Sequence, residues 1–139
     1  MVILDTNVVS EIMDEAPDAV VIRWLDQISW TSLWTTAVTV LEIRYGLTIM
    51  PSGRRRRQRE SAFARLINEN FEGRIVQFDH AAAEETAALM GARHRTGPLG
   101  DLRDNMIAGI ALAQRATLAT RNVRHFADLS VPVVNPWHA

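Results

Sequence analysis

Short apolar runs alternate with segments of helical periodicity along the whole chain, and this alternation limits the possible folds more than any other feature. Val2-Ile3-Leu4 is the first run, too short for a helix and ending on Asp5, as a buried parallel strand ends at its polar edge. Residues 33–35, 74–78, 117–120 and 131–134 are further strand candidates, and Pro132 marks the last as an edge strand. Between them the spacing predicts a helix over residues 8–13 capped by Thr6 or Asn7. A second helix is opened by Pro17, with Val20, Val21, Trp24, Leu25 and Ile28 on one stripe. Further helices are predicted from near Thr36 to before Pro51, over residues 54–71, from Asp79 or His80 to about Arg95, and over residues 101–115. A short helical turn is predicted at residues 123–126. Strands and helices in this order predict an α/β sandwich with a mainly parallel sheet. The 139 residues suffice for one such domain, 1–139, and leave no room for a second.

Composition closes off several functions. A hydrophobic share of 47% supports a packed core. Cys is absent, which removes disulfides, thiolate metal sites and a thiol nucleophile, and favours a reducing compartment. No signal peptide or long apolar span is present, so the expectation is a cytoplasmic protein with no membrane association. The formal net charge is −1, so bulk charge does not announce a nucleic-acid binder. Positive charge is instead concentrated in Arg54, Arg55, Arg56, Arg57 and Arg59. Such a run is read either as a solvated helix face or as a phosphate contact for RNA.

In a parallel sheet, functional groups gather beyond the carboxyl ends of the strands. Asp5 ends the first predicted strand, and Thr120, Arg121 and Asn122 end the fourth. Asp104 falls in the first turn of the helix preceding that strand. Glu42 sits among Val40, Leu41 and Ile43, where an unpaired buried carboxylate costs several kcal/mol. Convergence of Asp5, Glu42 and Asp104 on a divalent cation accounts for all three, since hard oxygen donors suit Mg²⁺ or Mn²⁺. Such an ion can activate a water for attack on a phosphodiester. Taken singly, each acid has another reading: Asp5 as a helix cap, Glu42 as a partner of Arg44, and Asp104 as a favourable charge near a helix N-terminus.

Four segments then carry a resemblance. Leu4-Asp5-Thr6-Asn7-Val8-Val9-Ser10-Glu11 resembles the first motif of PIN-domain toxins of the VapC type, especially their FitB-like branch. Thr39-Val40-Leu41-Glu42-Ile43-Arg44-Tyr45-Gly46 resembles the second and Asp104-Asn105-Met106-Ile107-Ala108-Gly109 the third. Residues 118–126 resemble the fourth, and the ending Val134-Asn135-Pro136-Trp137 is similar to that branch as well. The four motifs lie in order over essentially the whole chain. The resemblance implies a PIN fold, a homodimeric toxin and a Mg²⁺- or Mn²⁺-dependent endoribonuclease with Asp5, Glu42 and Asp104 as metal residues. It also implies inhibition by a small VapB- or FitA-like antitoxin, the complex binding its operator DNA. Many such domains carry a further acid in the last motif, where this chain has Asn122 or His125.

Other residues are assigned around these acids. Thr6 and Asn7 are expected to hold Asp5 or orient a water, and Thr120 to reach the site from the opposite strand. Asp101 is read as a helix N-cap or as an extra acid facing the same side as Asp104. Arg121 and Arg124 join the Arg54–Arg57 group as candidate RNA contacts, and His125 is read as a packing residue. Trp24, Trp30 and Trp34 are assigned to core or interface, and Trp137 is expected to pack back on the domain. A haloacid-dehalogenase-like phosphatase also begins with an Asp after its first strand. That chemistry needs a second Asp two residues on, where Asn7 stands, and a Lys, which the chain lacks. A degenerate site acting only through an antitoxin and operator DNA is the other alternative, and Asn122 is its motive.

Overall fold

The computed structural model describes residues 1–139. Five short strands, β1 (Val2–Leu4), β2 (Leu33–Thr36), β3 (Ile75–Val76), β4 (Thr117–Ala119) and β5 (Val133–Val134), form one sheet in the order β3-β2-β1-β4-β5. Every neighbouring pair is parallel. β1 is central, with Val2 opposite Leu33 on one side and Thr117 on the other. Its residues alternate between two cores. Leu4 packs with Val8, Val21, Leu33, Phe63 and Phe71 on one face. Ile3 packs with Leu89, Ile107, Ile110, Leu118 and Phe126 on the other. This period-two division makes the strand apolar on both faces.

Six helices cover the sheet: α1 (Thr6–Ile12), α2 (Ala19–Asp26), α3 (Ala37–Ile49), α4 (Arg54–Arg65), α5 (His80–Thr96) and α6 (Leu102–Gln114). The cap of α1 is Asp5 rather than Thr6 or Asn7, because the carboxylate itself accepts from the Thr6 N–H at 2.8 Å. Pro17 does not open α2. Asp18 caps that helix through the Val20 N–H, and Pro17 lies just before the cap. The strand predicted over residues 74–78 shrinks to Ile75–Val76. The Arg74 guanidinium ties down the chain ahead of the strand by donating to the carbonyls of Trp30, Leu33 and Asn70, and the strand ends early because the chain turns into α5, capped by Asp79. α4 runs into a wider turn at Leu66–Asn70, and Gly73 then takes a positive φ of 75°.

α5 and α6 pack as an antiparallel pair at unusually close approach. A Cβ at Gly109 would overlap the Thr86 hydroxyl and come within 2.8 Å of the Ala82 carbonyl. Arg93 on α5 fastens the pair to the 123–126 turn through Asn105 Oδ1, the His125 carbonyl and both oxygens of Asp128. Trp24, Trp30 and Trp137 pack against the first core and Trp34 against the second. No helix is long and apolar enough to cross a membrane.

Candidate active site

The carboxyl end of β1 delivers Asp5 to the floor of a cavity of about 480 Å³. Glu42 from α3 and Asp104 from α6 line the same cavity, together with Thr6, Asn7 and Asn122. This lies where the chain leaves β1 toward β2 on one side and returns through β4 on the other, the crevice where open parallel sheets hold their ligands.

Asp5 is 3% exposed and held from three sides. Its Oδ1 accepts from the Thr6 N–H. Its Oδ2 accepts from the Thr120 hydroxyl at 2.8 Å and from the Asn7 amide at 3.4 Å. Thr120 in turn accepts from the Asn122 N–H and from Asn7, while Asn7 Oδ1 takes the Arg121 N–H. Burial pushes the Asp5 carboxyl up to about 6. The hydrogen bonds from Thr120 and Thr6 work against that rise, and the charges of Asp104 and Glu42 add to it. No cation lies within ion-pair distance of this carboxylate.

Glu42 is not the fully buried charge that its apolar neighbours suggest. α3 buries Val38, Ile43 and Leu47 but turns Leu41, Tyr45 and Ile49 to solvent, and Glu42 sits between the two faces with its side chain 19% exposed. Its partner is not Arg44, which lies over the Phe63 ring. A chain of hydroxyls converges on it instead. Thr36 donates to Thr39, the Thr39 and Thr6 hydroxyls lie 3.1 Å apart, and Thr6 donates to Glu42 Oε1 at 2.8 Å. Arg103 approaches its other oxygen at 3.9 Å.

Asp104 stands at the rim, its side chain 29% exposed, with His125 Nδ1 3.8 Å away. Its carboxyl is also raised, first by burial and then by the neighbouring charge of Asp101, against the pull of His125 and Arg103. His125 is therefore a mostly exposed neighbour of Asp104 and not a packing residue. Asp101 does not join the cavity. It caps α6 through the Arg103 N–H and grips the Arg103 guanidinium. Arg121 stacks on the Trp137 ring at 4.9 Å, and Arg124 is exposed. Neither lines the cavity.

Sequence reasoning missed Thr36, the cap of α3, and Thr39 in its first turn, which share that helix with Glu42 but are linked to it through the Thr6 hydroxyl of α1. It also missed Ser10, and it named Arg59 only as part of the basic run, not as a residue of this cavity, where Arg59 donates to the Ser10 hydroxyl at 3.3 Å. Arg59 belongs to the basic run, but its separation from the four preceding arginines becomes visible only once α4 lies against α1.

The set of donors fits a hard divalent cation in type and charge: three carboxylates on one cavity, the most buried of them without a counter-charge. As placed, no three acidic or histidine side chains close around a common point.

The PIN-domain family model matches residues 2–131, and the chain belongs to the PIN-domain family. Its relatives place it in the branch of VapC and FitB. It is 34% identical to VapC ribonuclease Y4jK of Sinorhizobium fredii over 99% of this chain and 98% of that one. It is 33% identical to Toxin FitB of Neisseria gonorrhoeae over 99% of both. The structure of FitAB bound to an IR36 DNA fragment superimposes with a TM-score of 0.90 at 32% identity, covering 100% of this chain and 97% of that one.

Proposed function

We propose that this protein is the toxin of a toxin–antitoxin pair, a cytoplasmic endoribonuclease that hydrolyses RNA phosphodiesters with Mg²⁺ or Mn²⁺. The observation that carries the reading is the Asp5 carboxylate, buried beside Glu42 and Asp104 on one cavity with no cation against it. Three carboxylates in such a place repel one another and hold protons unless a cation joins them. Relatives of matching length bear the names ribonuclease and toxin.

Asp5, Glu42 and Asp104 would hold the ion. Asp5 is held in place by Thr6, Asn7 and Thr120. When bound, the ion supplies positive charge at the scissile phosphate and acidifies a water. The protein's own residues do the positioning. The hydroxyl chain from Thr36 aims Glu42, the Thr120–Asn7 pair fixes Asp5, and the exposed Asn122 offers an amide to a water or a phosphate oxygen. Arg54, Arg55, Arg57, Arg121 and Arg124 remain candidate phosphate contacts. Arg56 is a weaker one, being engaged by Glu60 at 2.7 Å and by the Met50 carbonyl.

The partners in this reading are a VapB- or FitA-like antitoxin, operator DNA through that antitoxin, and a second copy of the chain. Leu41, Tyr45 and Ile49 recur every four residues along α3 and are all more than half exposed. This apolar stripe suits a protein contact.

RNA cleavage with Mg²⁺, with Mn²⁺ and with a chelator tests the proposal. Cleavage should need the ion and should fall at least a hundredfold in Asp104→Asn, which removes a ligand charge at constant side-chain size. A second reading, a weak or inactive PIN protein acting through its DNA-bound complex, is favoured by Asn122 in place of an acid. Equal RNA stability with and without ion, in the presence of intact operator binding by the complex, would establish it.

A further inference from the structure

The acidic cavity has a neighbour. A groove of about 1060 Å³ runs between the end of α1 and the outer face of α4, and Arg54, Arg55, Arg57, Arg59 and Arg65 line it. Asp14 and Glu15 stand in its wall, and none of the five arginines is ion-paired with them or with any other acid. Met13 and Arg59 line both the groove and the acidic cavity. Arg59 is also the one basic residue on the wall of the acidic cavity.

These arginines sit where a helix least favours them. Arg54–Arg57 occupy the first turn of α4, with no acidic residue in that turn and no side-chain cap on Gly53. The positive end of the helix dipole opposes them, and like charges three and four apart oppose each other. Only Arg56 is relieved, by Glu60. Folding alone does not favour such a segment, and a polyanion in the groove offsets its cost.

Resting on the nuclease reading, we propose that a single RNA strand lies in the α1–α4 groove and that Arg59 holds the phosphate at the neck between groove and acids. Its guanidinium is the last positive charge before three carboxylates that would otherwise repel the backbone. The Ser10 hydroxyl accepts one of its N–H groups, which sets the direction of the fork and leaves other donors for a phosphate. The strand is thus drawn along α4 by Arg54, Arg55 and Arg57 and handed by Arg59 to the carboxyl end of β1. Arg59 is a substrate-positioning residue, and the groove sets how many nucleotides on one side of the cut contribute to binding.

Fluorescence anisotropy with 5′-labelled, mixed-sequence oligoribonucleotides of about 4 to 16 nucleotides tests this in the Asp104→Asn protein, which binds without cutting. Affinity should rise with length until the groove is filled. Arg59→Ala should weaken binding about tenfold and reduce the slope of log K against log salt by about 0.7, the value for one single-strand phosphate contact. Arg54→Ala with Arg57→Ala should reduce it by about 1.4, and these two exposed residues keep the test valid if Arg59→Ala folds poorly. Arg59→Lys should restore part of the slope and less of the affinity. Arg95→Ala, an exposed charge on α5 that lines neither cavity, controls for the loss of one positive charge and should change neither. Slopes and affinities equal to those of the Asp104→Asn parent would overturn the proposal. So would unchanged RNA binding with relief of inhibition by the antitoxin, which would give the groove to an acidic protein segment. Absence of cleavage by the unmodified protein would count against the nuclease reading alone, since the anisotropy experiment requires no turnover.

Discussion

Asp5 serves two ends that pull in opposite directions. As the cap of α1 it accepts a backbone N–H, which favours the charged form. As a buried carboxylate facing two others it is driven toward the neutral form, and the second effect prevails. The consequence for stability has a definite sign. The unfolded chain lets this carboxyl ionise near 3.8, while the fold keeps its proton up to about 6. Below pH 3.8 both states are protonated, and between the two values the unfolded state releases its proton first. Stability without metal should therefore fall by about 3 kcal/mol as pH rises across that window. Asp5→Asn keeps the capping oxygen and removes the charge, so at neutral pH the metal-free variant should melt roughly 10 °C above the parent. Thermal melts from pH 4 to 7 check this, and a variant that melts with the parent throughout would mean that the buried charge carries no penalty.

At the scale of elements, the close approach of α5 and α6 decides where Asp104 stands. Gly109 lets the Ala82 turn of α5 come against α6, and Thr86 turns its hydroxyl back to the Ala82 carbonyl to fill the contact. Gly109→Ala should cost about 3 kcal/mol, because one of the colliding atoms is backbone and cannot rotate away. Urea unfolding measures it, and a loss under about 0.5 kcal/mol would mean that the helices separate freely. Arg93 acts on the same pair from the other end. Asp128 holds its guanidinium in the charged form, and the Arg93 hydrogen bond lowers the Asp128 carboxyl in turn. Asp128 is half exposed, so the ion pair by itself contributes modestly. The bonds to Asn105 and to the His125 carbonyl add to it. Arg93→Met should destabilise by about 2 kcal/mol and loosen the His125 turn that faces Asp104. Hydrogen exchange at residues 123–126 reads the second effect.

In the whole molecule, the acids come from β1, α3 and α6, which are far apart in sequence and meet only because β1 lies centrally in the sheet. A cation bound among them would link three elements and so stabilise the fold as a whole. Mn²⁺ should raise the melting temperature of the parent and leave Asp104→Asn almost unmoved. Calorimetric titration should find one tight site, since three carboxylates supply little charge for two cations at short range. Two tight sites without RNA would overturn the one-ion reading.

The alternation of apolar runs with helical segments specified a parallel α/β sheet, and periodicity together with caps and Pro or Gly breakers located six helices to within a few residues. Residue chemistry marked Asp5 and Asp104, because polar groups after strands and acids in first turns follow rules of local structure. Local rules were blind to the rest. Glu42 looked buried because its sequence neighbours are apolar, yet α3 presents Leu41, Tyr45 and Ile49 to solvent, and only packing tells a core face from an unpartnered one. Asp101 could face Asp104 by helical spacing, but Arg103 takes its carboxylate. The hydroxyl chain from Thr36 to Glu42 and the neck at Arg59 join residues from α1, α3 and α4. Their meeting depends on the angles at which helices cross the sheet, and those angles are set by side-chain volumes summed over the whole core.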